Sequence, residues 1–155
     1  MAIKKVKEYL KQWNKDKDVL EFDTSSATVE LAAEAAGVIP ARIAKTISFR
    51  DNGGCLLVVT AGDSKIDNGK FKRFFNMKAR MLSPDEVLEF TGYAVGGVCP
   101  FAIDNPEVKI YCDISMRRFD TVFPACGTDN SAIELTCVEL FTYSKALDWI
   151  DVCKF

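Results

Sequence analysis

The sequence predicts one domain built from both helices and strands, and three observations lead to that fold class. The chain has 155 residues, enough to bury a core without staples. Two apolar runs, residues 43–50 and 55–60, are joined by Asp51-Asn52-Gly53-Gly54, a strong hairpin signal. Helix starts with capping-box chemistry appear at Ser83-Pro84-Asp85-Glu86 and again at Thr136-Cys137-Val138-Glu139, so helices interrupt the strands.

In chain order, Ile3, Val6, Leu10 and Trp13 recur three, four and three apart and predict a helix over residues 2–13 with one apolar face. Residues 19–22 read as a short strand. Asp23-Thr24-Ser25-Ser26 offers caps for an alanine-rich helix that begins near Ala27 and ends at Gly37, with Pro40 in the turn beyond. The hairpin strands follow. Residues 62–80 alternate Lys65, Lys70, Lys72, Arg73, Lys78 and Arg80 with Ile66, Phe71, Phe74, Phe75 and Met77, which predicts a short amphipathic helix over 69–75 with its phenylalanines docked inward. Its cations are either an ordinary solvated face or contacts for a nucleic-acid backbone. A helix from Ser83 stops at Gly92. Residues 108–112 read as a strand, 113–119 as a helical turn, and 121–126 and 132–135 as two strands, with Pro124 placing the former at an edge or a bulge. The helix opened by Thr136 carries Leu140, Phe141 and Leu147 and gives way to a last apolar run, 149–152.

Composition narrows the chemistry. Apolar residues make up 48% and charged residues 27%, no apolar run approaches the roughly 20 residues of a membrane span, and the N-terminus lacks the apolar core of a signal peptide. A cytoplasmic protein is expected. The six cysteines form no Cys-x-x-Cys pair and read as small buried hydrophobes in a reducing compartment. The chain has no histidine, which removes Ser-His and Cys-His nucleophilic systems and His-ligated zinc together. No metal or cofactor is expected. A net charge of −2 means that any polyanion would need a local basic patch.

Two places stand out. Lys45 lies among small and apolar neighbours at the start of the first hairpin strand. It either snorkels to water or puts a cation at the edge of a pocket, where it could meet a phosphate or polarise a carbonyl. In Thr91-Gly92-Tyr93-Ala94-Val95-Gly96-Gly97-Val98-Cys99-Pro100-Phe101, adjacent glycines open unusual torsions and Pro100 fixes the exit. Such a loop is either a plain glycine turn or a set of exposed N–H groups able to hold an ester oxygen.

Lys45-Thr46 at a strand start, the Thr-Gly-Tyr-x-Val-Gly-Gly-x-x-Pro run, and Ala125-Cys126-Gly127 followed by Ile133-Glu134-Leu135 resemble the YbaK family of aminoacyl-tRNA deacylases, which is similar to the editing domain of prolyl-tRNA synthetase. The resemblance spans residues 22–147. It implies an α+β fold with a mixed, barrel-like sheet surrounded by helices, and hydrolysis of the ester that joins a wrong amino acid to tRNA, most typically cysteine, alanine or a similar small residue on proline tRNA. By the same resemblance Lys45 binds and orients the charged tRNA end, while the amides of the loop, Gly96 and Gly97 above all, hold the carbonyl and its developing oxyanion. Thr28, Thr46, Val98, Cys99, Pro100 and Gly127 are the implied substrate-binding residues, although Thr28 and Thr46 could equally cap a helix or finish a strand. Cys99 stands where serine is frequent in the family. It is read as pocket wall before nucleophile, because no histidine is present to activate it. Lys65, Lys70, Lys72 and Arg73 are the candidates for tRNA-backbone contact. Mischarged tRNA is the expected partner, with prolyl-tRNA synthetase a further candidate; neither a membrane nor DNA is expected. The alternatives are a non-catalytic module that binds an aminoacyl group or tRNA end, and a regulatory domain associated with a synthetase.

Overall fold

The computed structural model describes residues 2–154. Helix α1 (Ala2–Leu10) buries Val6 and Leu10 completely. It tightens into a 3-10 turn, Lys11–Trp13, after which Asn14 takes a left-handed torsion. Strand β1 (Leu20–Glu21) leads to α2 (Val29–Ala36), which Gly37 ends at φ 72°. The cap of α2 is Thr28, whose side chain accepts from the Leu31 N–H, rather than the expected 23–26 stretch. Ser26 is instead occupied through its own N–H, which donates to the Asp129 carbonyl.

Strands β2 (Ile43–Asp51) and β3 (Gly54–Ala61) form the expected hairpin. Asn52 and Gly53 turn it with positive φ, 48° and 92°, the torsions that make a two-residue turn match strand twist. Then come β4 (Lys65–Ile66), α3 (Asn68–Phe75) and α4 (Pro84–Thr91), the last opened by the Ser83–Glu86 capping box and closed by Gly92. The chain finishes with β5 (Val108–Asp113), a 3-10 turn at Ile114–Arg118, β6 (Thr121–Pro124), β7 (Ser131–Ala132), β8 (Leu135–Thr136), α5 (Cys137–Ser144), β9 (Trp149–Ile150) and β10 (Cys153–Lys154).

The main sheet runs β8-β6-β2-β3-β5-β9 and is mixed. β2 is antiparallel to β3 and parallel to β6, while β3, β5 and β9 run parallel. It curls into a half-barrel enclosed by the helices, the α+β architecture expected. At its centre Leu56, Leu57, Val58 and Val59 of β3 are all at most 1% exposed, so both faces are covered and the strand reads as an unbroken apolar run. Leu57 and Val59 pack with Val6, Leu10, Val87 and Leu140, whereas Leu56 and Val58 pack with Phe49, Phe71 and Val152.

Four expectations need correction. The single strand over 132–135 is two, because Ile133 and Glu134 turn the chain between pairings: β7 joins β1, and β8 joins β6. The Ile133 N–H donates to the Pro124 carbonyl across this turn, and the Glu134 carboxylate reaches Thr121 and Arg42. Pro124 lies on an interior strand, not an edge. It is tolerated because β8 pairs only with Thr121 and Val122, so no bond from β8 is required at the proline. Leu147 lies beyond α5, which Lys145 ends at φ 56°, and is exposed. In α3, Phe71 is fully buried but Phe74 is 47% exposed.

Candidate functional site

A cavity of about 390 Å³ is lined by Ala44, Lys45, Thr46, Ile47 and Ser48 of β2, by Ser26–Val29, by Met81, Leu82 and Val87, and by Val95, Gly96 and Val98. Successive residues of a strand face opposite sides of a sheet, so a cavity touched by a continuous strand segment lies at the strand's edge. The pairing agrees. β6 partners β2 only at Ile43 and Ala44, and the next bridge on that side among the described residues is Phe49 with Met81. Ser48 accepts from Leu82 N–H and Arg50 donates to Arg80 C=O, so the even-numbered residues turn their main chain toward this side. By alternation Thr46 presents its N–H and C=O to the open edge.

Lys45 lines the same cavity. Its Nζ donates to the carbonyls of Ser64 and, at 3.5 Å, Gly62. An ammonium has three N–H donors, and these bonds leave one for a ligand. Burial lowers its pKa, with Cys153 and Asp63 pulling the other way. The carbonyl cradle depends on Gly62, where an added Cβ would stand 2.1 Å from the Pro40 carbonyl oxygen.

The glycine loop is a β-turn in which Gly97 N–H donates to Ala94 C=O at 3.0 Å and Gly96 takes φ 97°. The two glycines therefore separate. Gly96 and Val98 line the cavity; Gly97 does not. Gly97 is buried behind the wall with its amide already bonded, and a Cβ there would sit 2.8 Å from the Gly127 carbonyl oxygen. Its amide is thus already engaged in this conformation, and Gly96 and Val98 are the loop residues that reach the cavity.

Of the other expected substrate-binding residues, Thr28 and Thr46 line the cavity, Thr28 while also capping α2. Cys99, Pro100 and Gly127 do not. Cys99 is fully buried, and burial pushes its thiol up to about 12 even though Phe101 N–H, the Tyr93 hydroxyl and Gly127 N–H face the sulfur. It clamps the loop against the Gly127 turn. Gly127, at φ 92°, packs against Tyr93, Val6 and Ala2. Lys65, Lys70, Lys72 and Arg73 all lie outside the cavity, on the surface around α3 and β4. Sequence reading missed Ser26, whose buried Oγ has no hydrogen-bond partner among the described residues, and the apolar wall of Met81, Leu82, Val87 and Phe123. Their spacing marks the wall residues only as core, and a serine among possible helix caps carries no further signal. Among the described residues no three Cys, Asp or Glu side chains cluster to hold a metal ion, and no helix is long and apolar enough to cross a membrane.

This geometry coincides with the family evidence. A family model described as aminoacyl-tRNA editing domain matches residues 23–143, which contain every residue lining the cavity. The uncharacterized protein YwhH of Bacillus subtilis is 58% identical over 155 residues, 99% of this chain and 98% of its own. Proline–tRNA ligase of Thermotoga maritima is 30% identical over 114 residues, 72% of this chain but 20% of the ligase. A crystal structure of a protein proposed as a trans-editing enzyme for prolyl tRNA synthetase superposes with a TM-score of 0.88 at 28% identity, covering 99% of this chain and 98% of that one. The chain belongs to the aminoacyl-tRNA editing domain family, in its YbaK-type branch related to the editing domain of prolyl-tRNA ligases, and that membership supports a deacylase role.

Proposed function

We propose that the protein is a trans-acting deacylase that hydrolyses the ester of mischarged tRNA, with a small amino acid such as alanine or cysteine on proline tRNA as its substrate. The observation that carries this reading is that Lys45, Thr46, Gly96 and Val98 line one cavity, with the Lys45 amine held by two carbonyls. In the proposed reaction the spare Lys45 N–H binds the charged tRNA terminus and the loop amides hold the ester carbonyl. Water attacks that carbonyl, the oxygen becomes an oxyanion against the amides, and the carbon–oxygen bond to the ribose breaks. The proton lost by water ends on the ribose oxygen, leaving free amino acid and intact tRNA. For misattached cysteine the side-chain thiol could attack instead, its proton passing to the ribose oxygen as that carbon–oxygen bond breaks and the amino acid leaving as a cyclic thioester. A neighbouring ribose hydroxyl would serve to relay the proton, since attack by it would only move the ester to the adjacent oxygen.

The buried Cys99 thiol is a poor candidate for that attack, since burial favours its neutral form. An activated ester needs placement and charge stabilisation more than a strong base, which suits a site without histidine. The alanines at 27, 32, 44, 125 and 132 leave room for a small apolar side chain. One methylene in such a pocket is worth only about 1–3 kcal/mol, so selectivity among small residues is modest. Prolyl-tRNA synthetase is the proposed source of the errors and a candidate partner.

The test is hydrolysis of proline tRNA charged with cysteine, alanine, serine or proline by the wild type, Lys45→Ala and Gly96→Ala, with and without chelator. We expect turnover of a small non-proline ester, insensitive to chelator, and a fall of about 10²–10³-fold in Lys45→Ala. Binding of these tRNAs by folded wild type without turnover would establish the non-catalytic module instead.

A further inference from the structure

Away from the cavity, a shallow groove of about 400 Å³ is lined by Lys70, Arg73, Phe74 and Asp151. Phe74 has 47% of its surface exposed there, although the neighbouring Phe71 on the same helix is fully buried. The Phe74 ring is held in place edge-on against Phe75, with centroids 4.8 Å apart, and against Tyr111 at 5.9 Å. Nearly half of its surface is therefore presented to solvent, with the ring fixed by its two aromatic neighbours.

Several cations lie around it. Lys70 is held by Asp151 at 3.0 Å and by the Cys153 carbonyl at 3.0 Å. Arg73, Lys72, Lys65 and Lys154 make no ion pair among the described residues, and Asp67 is the carboxylate that faces Lys154 and Lys70. A short strip of main chain joins these cations to the cavity. The Lys45 amine bonds to the Ser64 carbonyl, the next residue Lys65 pairs in register with Lys154, and Lys70 reaches the carbonyl of Cys153 beside it. A track of cations, with Asp63 beside Lys45 and Asp67 beside Lys154, thus leads from the cavity to an aromatic surface.

We propose that this track binds the single-stranded end of an RNA, with one unpaired base stacked on Phe74 and its flanking phosphates on Arg73, Lys72, Lys65 and Lys154. Free cations interleaved with an exposed, immobilised ring are what single-stranded nucleic acid requires, because every base has a face to stack and every linkage a charge to neutralise. The inference rests on the reading that the substrate is an aminoacyl-tRNA, and it adds where the strand runs after it leaves the cavity. The positioning is remote from the ester, so Phe74 acts on binding and not on the bond-breaking step.

The experiment is fluorescence anisotropy with an uncharged, labelled RNA hairpin that carries a four-nucleotide single-stranded 3′ end, compared with a blunt hairpin, over a range of salt. The overhang should tighten binding about tenfold. Phe74→Ala should abolish that difference and Phe74→Trp should retain it, with thermal melting showing both variants folded. Combined Arg73→Glu and Lys154→Glu should weaken binding of the overhang hairpin and flatten the salt dependence. Equal binding of the two hairpins, an overhang preference that survives in Phe74→Ala, or no RNA binding at all would overturn the proposal, the last pointing to a protein as the occupant. Because the RNA carries no ester, these results are independent of hydrolysis. Turnover of charged tRNA with an unaltered KM in Phe74→Ala would sink the groove assignment and leave the deacylase standing.

Discussion

Gly96 and Gly97 are adjacent and chemically identical, yet the fold asks different things of them. Gly96 supplies a positive φ in the cavity wall; Gly97 supplies the absence of a side chain where two loops touch through their backbones. Gly97→Ala should therefore lower stability by about 1–3 kcal/mol, since the obstruction is main chain that cannot rotate away. Chemical denaturation measures it, and an unchanged midpoint would mean that the loop and the Gly127 turn do not pack as described. The glycine pair was legible in the sequence as a special loop, but the division of labour was not. It depends on Gly127 and Ala27, which lie about thirty and seventy residues away in the chain. The same holds for Lys45. Its place at a strand start could be read, but whether its amine reached water or a carbonyl depended on the turn at Gly62–Ser64.

Among the elements, α4 was legible almost entirely. Ser83 and Glu86 exchange hydrogen bonds at 3.3 and 3.0 Å, and Arg50 adds a two-pronged ion pair to the same carboxylate at 2.7 and 2.8 Å. The Ser83 N–H first, then the Ser83 hydroxyl and Arg50, hold the Glu86 carboxyl below its ordinary 4.5. A carboxyl with a depressed folded value stabilises the protein above its unfolded value, and that contribution is lost as pH falls through the folded one. Melting of wild type and Glu86→Gln between pH 7 and pH 3 should therefore show the variant less stable at neutral pH and the gap closing as acid is added. A gap independent of pH would assign the effect to helix capping geometry alone. The capping boxes could be read because they are closed within four residues. The split of residues 132–135 into β7 and β8 could not, because their apolar pattern is the same whether one partner strand or two receive it.

Across the whole molecule, β3 ties the two largest apolar clusters together by giving Leu57 and Val59 to one and Leu56 and Val58 to the other. Leu57→Ala should cost about 2–5 kcal/mol, and both clusters should melt in one transition. Calorimetry decides this: two resolved transitions would show that the sheet faces unfold separately. The mixed, half-barrel sheet with its helices was expected from the family resemblance of particular motifs, not from periodicity, which cannot specify strand order.

Residue type and short motifs settled the capping boxes at Ser83 and Thr136, the Asn52-Gly53 turn, the central apolar strands and, through resemblance, the family, because each is carried by neighbours in sequence. The cavity belongs to the tertiary structure. It exists because β6 leaves β2 after Ala44 and Met81 rejoins it only at Phe49, so a length of strand edge stays open. The exposure of Phe74 and the burial of Phe71 were decided at the same level. Both rings sit on one amphipathic helix, and only the packing of Phe49 and Val152 against that helix selects which of them is covered.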